Sequence, residues 1–246
     1  GVIHGVDVDT NHFTGNHPSA CSIEACFSPD GNLELATWAE ILPTSSLNPG
    51  SQHLFEIQSR EQWTHVKLHI YPDGGVARLK VYGEVKKDWS VIDETALVNL
   101  AAATNGAKSI ACNDMYFSHM DNLLMPGRGV NMGDGWETKR NRTPNNRDWV
   151  IIRLAHPGVI SQAVIDTAHF KGNYPESCSI EGCSVKDDNI EDAEWKLVLP
   201  KYQLEADNEH DCEKEICEHE AVSHVRLSIF PDGGISRLRL FGTIKK

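Results

Sequence analysis

The chain repeats itself, and any fold assigned to it must be one that occurs twice. Residues 1–26, GVIHGVDVDTNHFTGNHPSACSIEAC, match residues 158–183, GVISQAVIDTAHFKGNYPESCSIEGC, at 15 of 26 positions without a gap. A second block, HVKLHIYPDGGVARLKVYG at 65–83, matches HVRLSIFPDGGISRLRLFG at 224–242 at 11 of 19 positions. The offset is 157 in the first block and 159 in the second, so the second copy carries two extra residues between them. The reading divides the chain into a first repeat at 1–88, a linker at 89–104 and a second repeat at 105–246. The stretch 105–157, which contains NMGDGWETKRNR and RDWVIIRLAHPG, has no counterpart in the first copy. The first copy is therefore expected to lack its opening strands, with exposed sheet edges and reduced stability.

Both copies read as all-β. Val66, Leu68 and Ile70 alternate with Lys67 and His69, and Val225, Leu227 and Ile229 alternate with Arg226 and Ser228. Period two means one buried and one polar face. Ala77, Leu79 and Val81 alternate with Arg78, Lys80 and Tyr82. Between these runs lies Pro-Asp-Gly-Gly, whose chemistry predicts a tight antiparallel hairpin. Its register would set Arg226 opposite Arg239 and Ser228 opposite Arg237, with Lys67 facing Lys80 and His69 facing Arg78. Like charges across a ladder are destabilising unless an anion lies between them, such as a carboxylate gripped by arginine forks. Acids on neighbouring strands would neutralise the stripe equally well. The Ala- and Leu-rich stretch Val91–Ala103 predicts a helix, and the acidic stretch Glu205–Glu220 a solvated loop.

Composition narrows the chemistry. The net charge is -12, with Lys and Arg scattered, which argues against a nucleic-acid partner. No apolar run approaches the length of a membrane span. Seven cysteines and no visible export signal point to reduced thiols and a cytoplasmic setting. The chain ends Ile-Lys-Lys rather than in a Ser-Lys-Leu peroxisomal address, although a peroxisomal setting stays open.

Several motifs can carry chemistry. In DGWETKR, residues 134–140, a Gly-containing turn presents Asp134 and Glu137 near Lys139, Arg140 and Arg142. Such carboxylates serve as general acid or base, or merely cap a turn with surface ion pairs. His12 and His169 occupy the same place in both copies, as proton shuttle or as loop anchor. His210, Cys212, Cys217 and His219 form HxCx4CxH, whose spacing departs from common zinc patterns. His210 also aligns with His53, which places it in the repeat itself. Walker, Rossmann, GxSxG and HExxH motifs are absent from the sequence.

Taken together, DGWETKR, DWVIIRL, DTxHFxGNxPxSCSIEGC and HVRLxIxPDGGxxRLRxxG resemble the allantoicase family over nearly the whole chain. The resemblance implies two tandem jelly-roll β-sandwiches of galactose-binding-like type. It implies a homo-oligomer and hydrolysis of allantoate, a small anion with two ureido groups on one carbon, to ureidoglycolate and urea. On that chemistry Arg140, Arg226, Arg237, Arg239 and, in the first copy, Arg78 are candidates for binding substrate. Asp134, Glu137, Glu181, Asp232 and His169 are candidates for activating water or protonating the departing urea. A divalent metal could share this work as a Lewis acid, though no ligand set stands out. The alternative is an inactive relative or a ligand-binding sandwich, since fold does not fix function. The first copy departs from the pattern: it lacks a DGWE segment and has Lys67 and Lys80 where the second has Arg226 and Arg239.

Overall fold

A computed structural model describes residues 1–245. They form two compact units, Gly1–Lys87 and the remainder from Asp88. The first unit holds β1 (Val2–Asp9), β2 (Ala20–Cys26), β3 (Ala39–Ser46), β4 (Gln52–Glu56), β5 (His65–Tyr71) and β6 (Arg78–Glu84). They build two three-stranded antiparallel sheets, ordered β4-β1-β6 and β3-β2-β5. Ile3, Val6, Val8, Cys21, Ile23, Ala25 and Leu42 fill the core between them.

The second unit repeats this plan and extends it. Its strands are β7 (Val98–Asn99), β8 (Lys108–Cys112), β9 (Trp136–Glu137), β10 (Asp148–Asp166), β11 (Ser177–Cys183), β12 (Lys196–Gln203), β13 (Glu209–Cys212), β14 (Val222–Phe230), β15 (Gly234–Ile235) and β16 (Arg237–Ile244). The 19-residue β10 serves both layers. Its first half pairs with β14 and β8, its second half with β16 and β13. The core is the apolar phase of these strands: Val150, Ile152, Ile165, Ile180, Leu227, Ile229, Leu238 and Leu240 are all fully buried. Each such side chain contributes about 1.5–3 kcal/mol on burial. The all-β sandwich expected from the alternation is what the chain forms.

Pro-Asp-Gly-Gly does not make the expected hairpin. β14 pairs with β10 and β11, whereas β16 pairs with β10 and β7. Likewise β5 pairs with β2, and β6 with β1. The turn is a corner that carries the chain from one layer to the other. Gly74 and Gly233 adopt φ of 137° and 136°. A Cβ on either would stand 2.6 Å from a carbonyl oxygen, that of Asn16 or Asn173. Gly75 and Gly234 lie against the rings of Phe13 and Phe170, where a side chain would collide. The like-charge stripe therefore does not exist: Arg226 lies opposite Ile151 and Glu181, Arg237 opposite Asp166, and Arg239 opposite Val164.

Two further expectations are corrected. The 91–103 stretch is not an α-helix, because Asn99 bonds both its own turn and strand β16 instead. Its Oδ1 accepts the N–H groups of Ala101 and Leu240, and Leu100 is buried in the core of the unit. Nor is 205–220 simply a solvated loop. Its centre is β13, with His210 and Cys212 buried.

Candidate active site

The end of β10 sets the site. Register places Asp166 between Arg237 of β16 and Glu209 of β13. Residues 127–134 fold over this edge, and Arg128 comes with them. The result is a cleft of about 180 Å³ lined by Arg128, Arg237, Arg239, Asp166 and Glu209. Three guanidinium groups against two carboxylates leave it locally cationic within an acidic chain.

Each charge is held differently. Arg128 grips Asp166 with a two-pronged bond, Nε to Oδ2 at 3.1 Å and Nη2 to Oδ1 at 3.2 Å. That contact pushes the Arg128 pKa up. Arg237, only 6% exposed, donates through Nε to the carbonyl of Gly127 and through Nη1 to those of Asp134 and Ser236. Arg239 donates to the carbonyls of Leu123, Leu238, Met125 and Gly127. Burial pulls the pKa of both down, and for Arg239 the neighbouring Arg237 adds to the effect. These two arginines thus hold the covering loop by its backbone. Arg237 keeps Nη2 free of any acceptor among the described residues. Glu209 likewise makes no side-chain bond among them, so its carboxylate is available to a ligand.

His169 supports the same loop. It sits at φ 72°, with its N–H on Asp207 Oδ1 at 2.7 Å and its Nε2 2.8 Å from the Gly129 carbonyl. Asp134 accepts from the N–H of Val130 and so shapes the loop from within. The other sequence candidates lie elsewhere. Glu137 accepts a bond from Asn173. Asp232 takes the N–H of Asn141 and lies 3.6 Å from Arg140. Glu181 is bonded by Arg226 Nε and Nη2 at 2.9 and 2.8 Å, and Arg226 stacks on Trp195. Arg78 is an exposed residue of the first unit.

The HxCx4CxH residues do not converge as ligands. Both His210 nitrogens are engaged, Nδ1 with the Ile165 carbonyl and Nε2 with the N–H of Glu205. His219 likewise contacts the carbonyls of Glu220 and Ile160. Burial pushes the Cys212 thiol up to about 11, so it is neutral rather than a thiolate.

Known proteins carry the same repeat. The allantoicase-repeat family model matches residues 1–86 and 98–245. A probable allantoicase of Pseudomonas aeruginosa is 51% identical over 249 residues, covering 99% of this chain and 75% of its own. The chain belongs to the allantoicase family. A probable allantoicase of Pseudomonas fluorescens is 52% identical, covering all of this chain and 76% of its own. The crystal structure of allantoicase from Saccharomyces cerevisiae superposes with a TM-score of 0.82 at 38% identity, covering 98% of this chain and 73% of that one.

Within this member of the family, sequence reasoning missed three of the five charged cleft residues. Asp166 lies in the repeat motif DTxHF, where the histidine is the more conspicuous titratable group. Glu209 lies in an acidic stretch, yet the aligned residue of the first copy is Gln52, and that difference was a usable signal. Arg128 lies in the segment without a counterpart, and nothing in its neighbours marks it.

Proposed function

We propose that this chain hydrolyses allantoate to ureidoglycolate and urea, and that the Arg128–Arg237–Arg239 cleft binds the substrate carboxylate. The observation that carries the reading is similarity at about half identity, over the whole chain, to proteins named as probable allantoicases. The cleft supplies matching chemistry. A free Nη2 on a buried, pre-positioned arginine, whose other nitrogens hold the covering loop, suits a carboxylate oxygen. The net reaction breaks the bond from the central carbon to one ureido nitrogen and joins the oxygen of water to that carbon. One water proton passes to the departing nitrogen, and the hydroxyl proton stays with the product. Glu209, unpaired beside the arginines, is suited to accept the water proton and return it to nitrogen. His169 positions the loop that covers the cleft. Arg128 holds Asp166, and Asp166 braces the turn through the N–H of Ala168 at 2.8 Å.

Self-association and a reducing, cytoplasmic setting belong to the same reading. All seven cysteines are free thiols, which supports such a compartment. The deciding experiment is urea release from allantoate by purified protein, with chelator and with added divalent metal in parallel. Release is expected; its absence in every condition would overturn the assignment. Loss on chelation alone would assign a metal to the reaction.

A further inference from the structure

A second cleft at the same end of the second unit has its own unused chemistry. It encloses about 150 Å³ and is lined by Asn113, Asp114, Lys139, Asn141 and Asp148. All five come from the 105–157 segment that the first copy does not match. Asp148 opens β10 and is 2% exposed. Its Oδ1 accepts from the side-chain amides of Asn113 and Asn146 at 2.8 and 3.2 Å. Its Oδ2 is buried and has no hydrogen-bond partner among the described residues. A buried carboxylate oxygen without a donor is costly, and native structures satisfy such atoms. Beside it, Asp114 uses Oδ1 for the N–H groups of Tyr116 and Lys139, and its Oδ2 lies 3.5 Å from Lys139 Nζ. The amide oxygens are engaged, Asn113 Oδ1 by the N–H of Trp149 and Asn141 Oδ1 by the N–H of Thr143, while each Nδ2 uses one of its two N–H groups, on Asp148 and on Asn146. What the cleft offers a ligand is two carboxylate oxygens that accept, with one ammonium and the remaining amide N–H groups of Asn113 and Asn141 that donate.

That pattern is the complement of a ureido group, which presents several N–H donors and a single carbonyl acceptor. We infer that this cleft is a ureido subsite, in which Asp148 Oδ2 and Asp114 Oδ2 accept ureido N–H groups and Lys139 donates to the carbonyl oxygen. The inference rests on the proposed reaction, where one ureido group stays on the product and the other leaves as urea. The three side chains are positioning residues: they fix the orientation of the group and take no part in bond making.

The test uses the full chain with N-methylurea as the probe. Its binding is read by saturation transfer to the methyl protons and by inhibition of allantoate turnover. Lys139 is exposed, so Lys139→Met keeps the fold, whereas Asp148→Asn removes an acceptor inside the unit. Lys139→Met is expected to weaken N-methylurea binding and raise KM for allantoate by about tenfold, the loss of one charge-assisted hydrogen bond. The kcat of Lys139→Met should change by less than about threefold, since a positioning contact is shared by ground and transition states. Asp148→Asn should behave alike at an unchanged melting temperature. Unaltered probe binding and KM in both variants would overturn the subsite and leave the cleft to water or a monovalent cation. So would a fall in kcat at constant KM. If the wild-type chain releases no urea, the proposed reaction fails. The subsite is then still decided by whether N-methylurea gives a saturation-transfer signal that Lys139→Met abolishes.

Discussion

Thr10 and Thr167 do the same work in the two repeats. Each hydroxyl ties the turn after its strand to a neighbouring loop, Thr10 to the carbonyls of Asn48 and Ser51, Thr167 to those of Glu205 and Asn208. His53 and His210 bridge equivalent backbone atoms. Phe13 and Phe170 press on equivalent glycines. The charged edge beside this shared corner is where the repeats part. In the second, Arg237 is buried and Arg239 half-buried against a covering loop, and Glu209 is free. In the first, Arg78 is exposed, Lys80 lies 3.5 Å from Asp7, and Gln52 donates to the same Asp7 carboxylate. A duplicated scaffold can thus keep the threonine and histidine bonds that shape a corner while one copy alone keeps the free charges beside it. The bonds that shape the corner are local and self-consistent, whereas the charges need residues 127–134 to desolvate them.

Equivalent substitutions in the two repeats break or sharpen that contrast. Arg237→Gln is expected to lower kcat/KM for allantoate by about a thousandfold, the size expected for losing a desolvated charged contact. Arg78→Gln should change it by less than about twofold, as exposed charges contribute little. Equal effects would show that the first repeat also acts. Arg237→Lys, which keeps charge without the planar fork, should raise KM by about tenfold. Unchanged KM in that variant would remove the carboxylate-binding role. Glu209→Gln gives the second repeat the residue of the first. Turnover should drop about a hundredfold, the usual share of a general base, with thermal stability retained. A variant that keeps full kcat would exclude Glu209 as the proton carrier. Smallest are Thr10→Val and Thr167→Val, each leaving one carbonyl, that of Asn48 or Glu205, without its donor and one N–H, that of Ser51 or Asn208, without its acceptor, and lowering the stability of its own unit by about 1–2 kcal/mol. Thermal melts showing an effect in only one would mean the corners are less alike than their bonds indicate.

The sandwich was legible in the sequence because alternation along β5, β14 and β16 reports directly which side chains face inward. Trp38 and Trp195 show the limit of such reading. They stack on Lys67 and Arg226, and Glu24 and Glu181 complete each group. The basic residue in each was expected to face another cation, because Pro-Asp-Gly-Gly signals a sharp turn but not whether the flanking strands pair. One layer or two is decided by which partner strands bury the inward faces, and that is a property of the whole unit. The cleft was half legible for the same reason: Arg237 and Arg239 lie in the repeat, whereas Arg128 arrives on a loop whose path depends on carbonyls being bonded by those arginines.

The length of β10 carries a consequence for how the second unit opens. Because one uninterrupted run from Asp148 to Asp166 bonds to strands in both layers, the layers cannot separate without rupturing a shared ladder. Amide protons at Val150–Arg153 and Ala163–Ile165, paired on both sides, should therefore exchange with solvent deuterium as one slow cooperative block, at the rate of global rather than local opening.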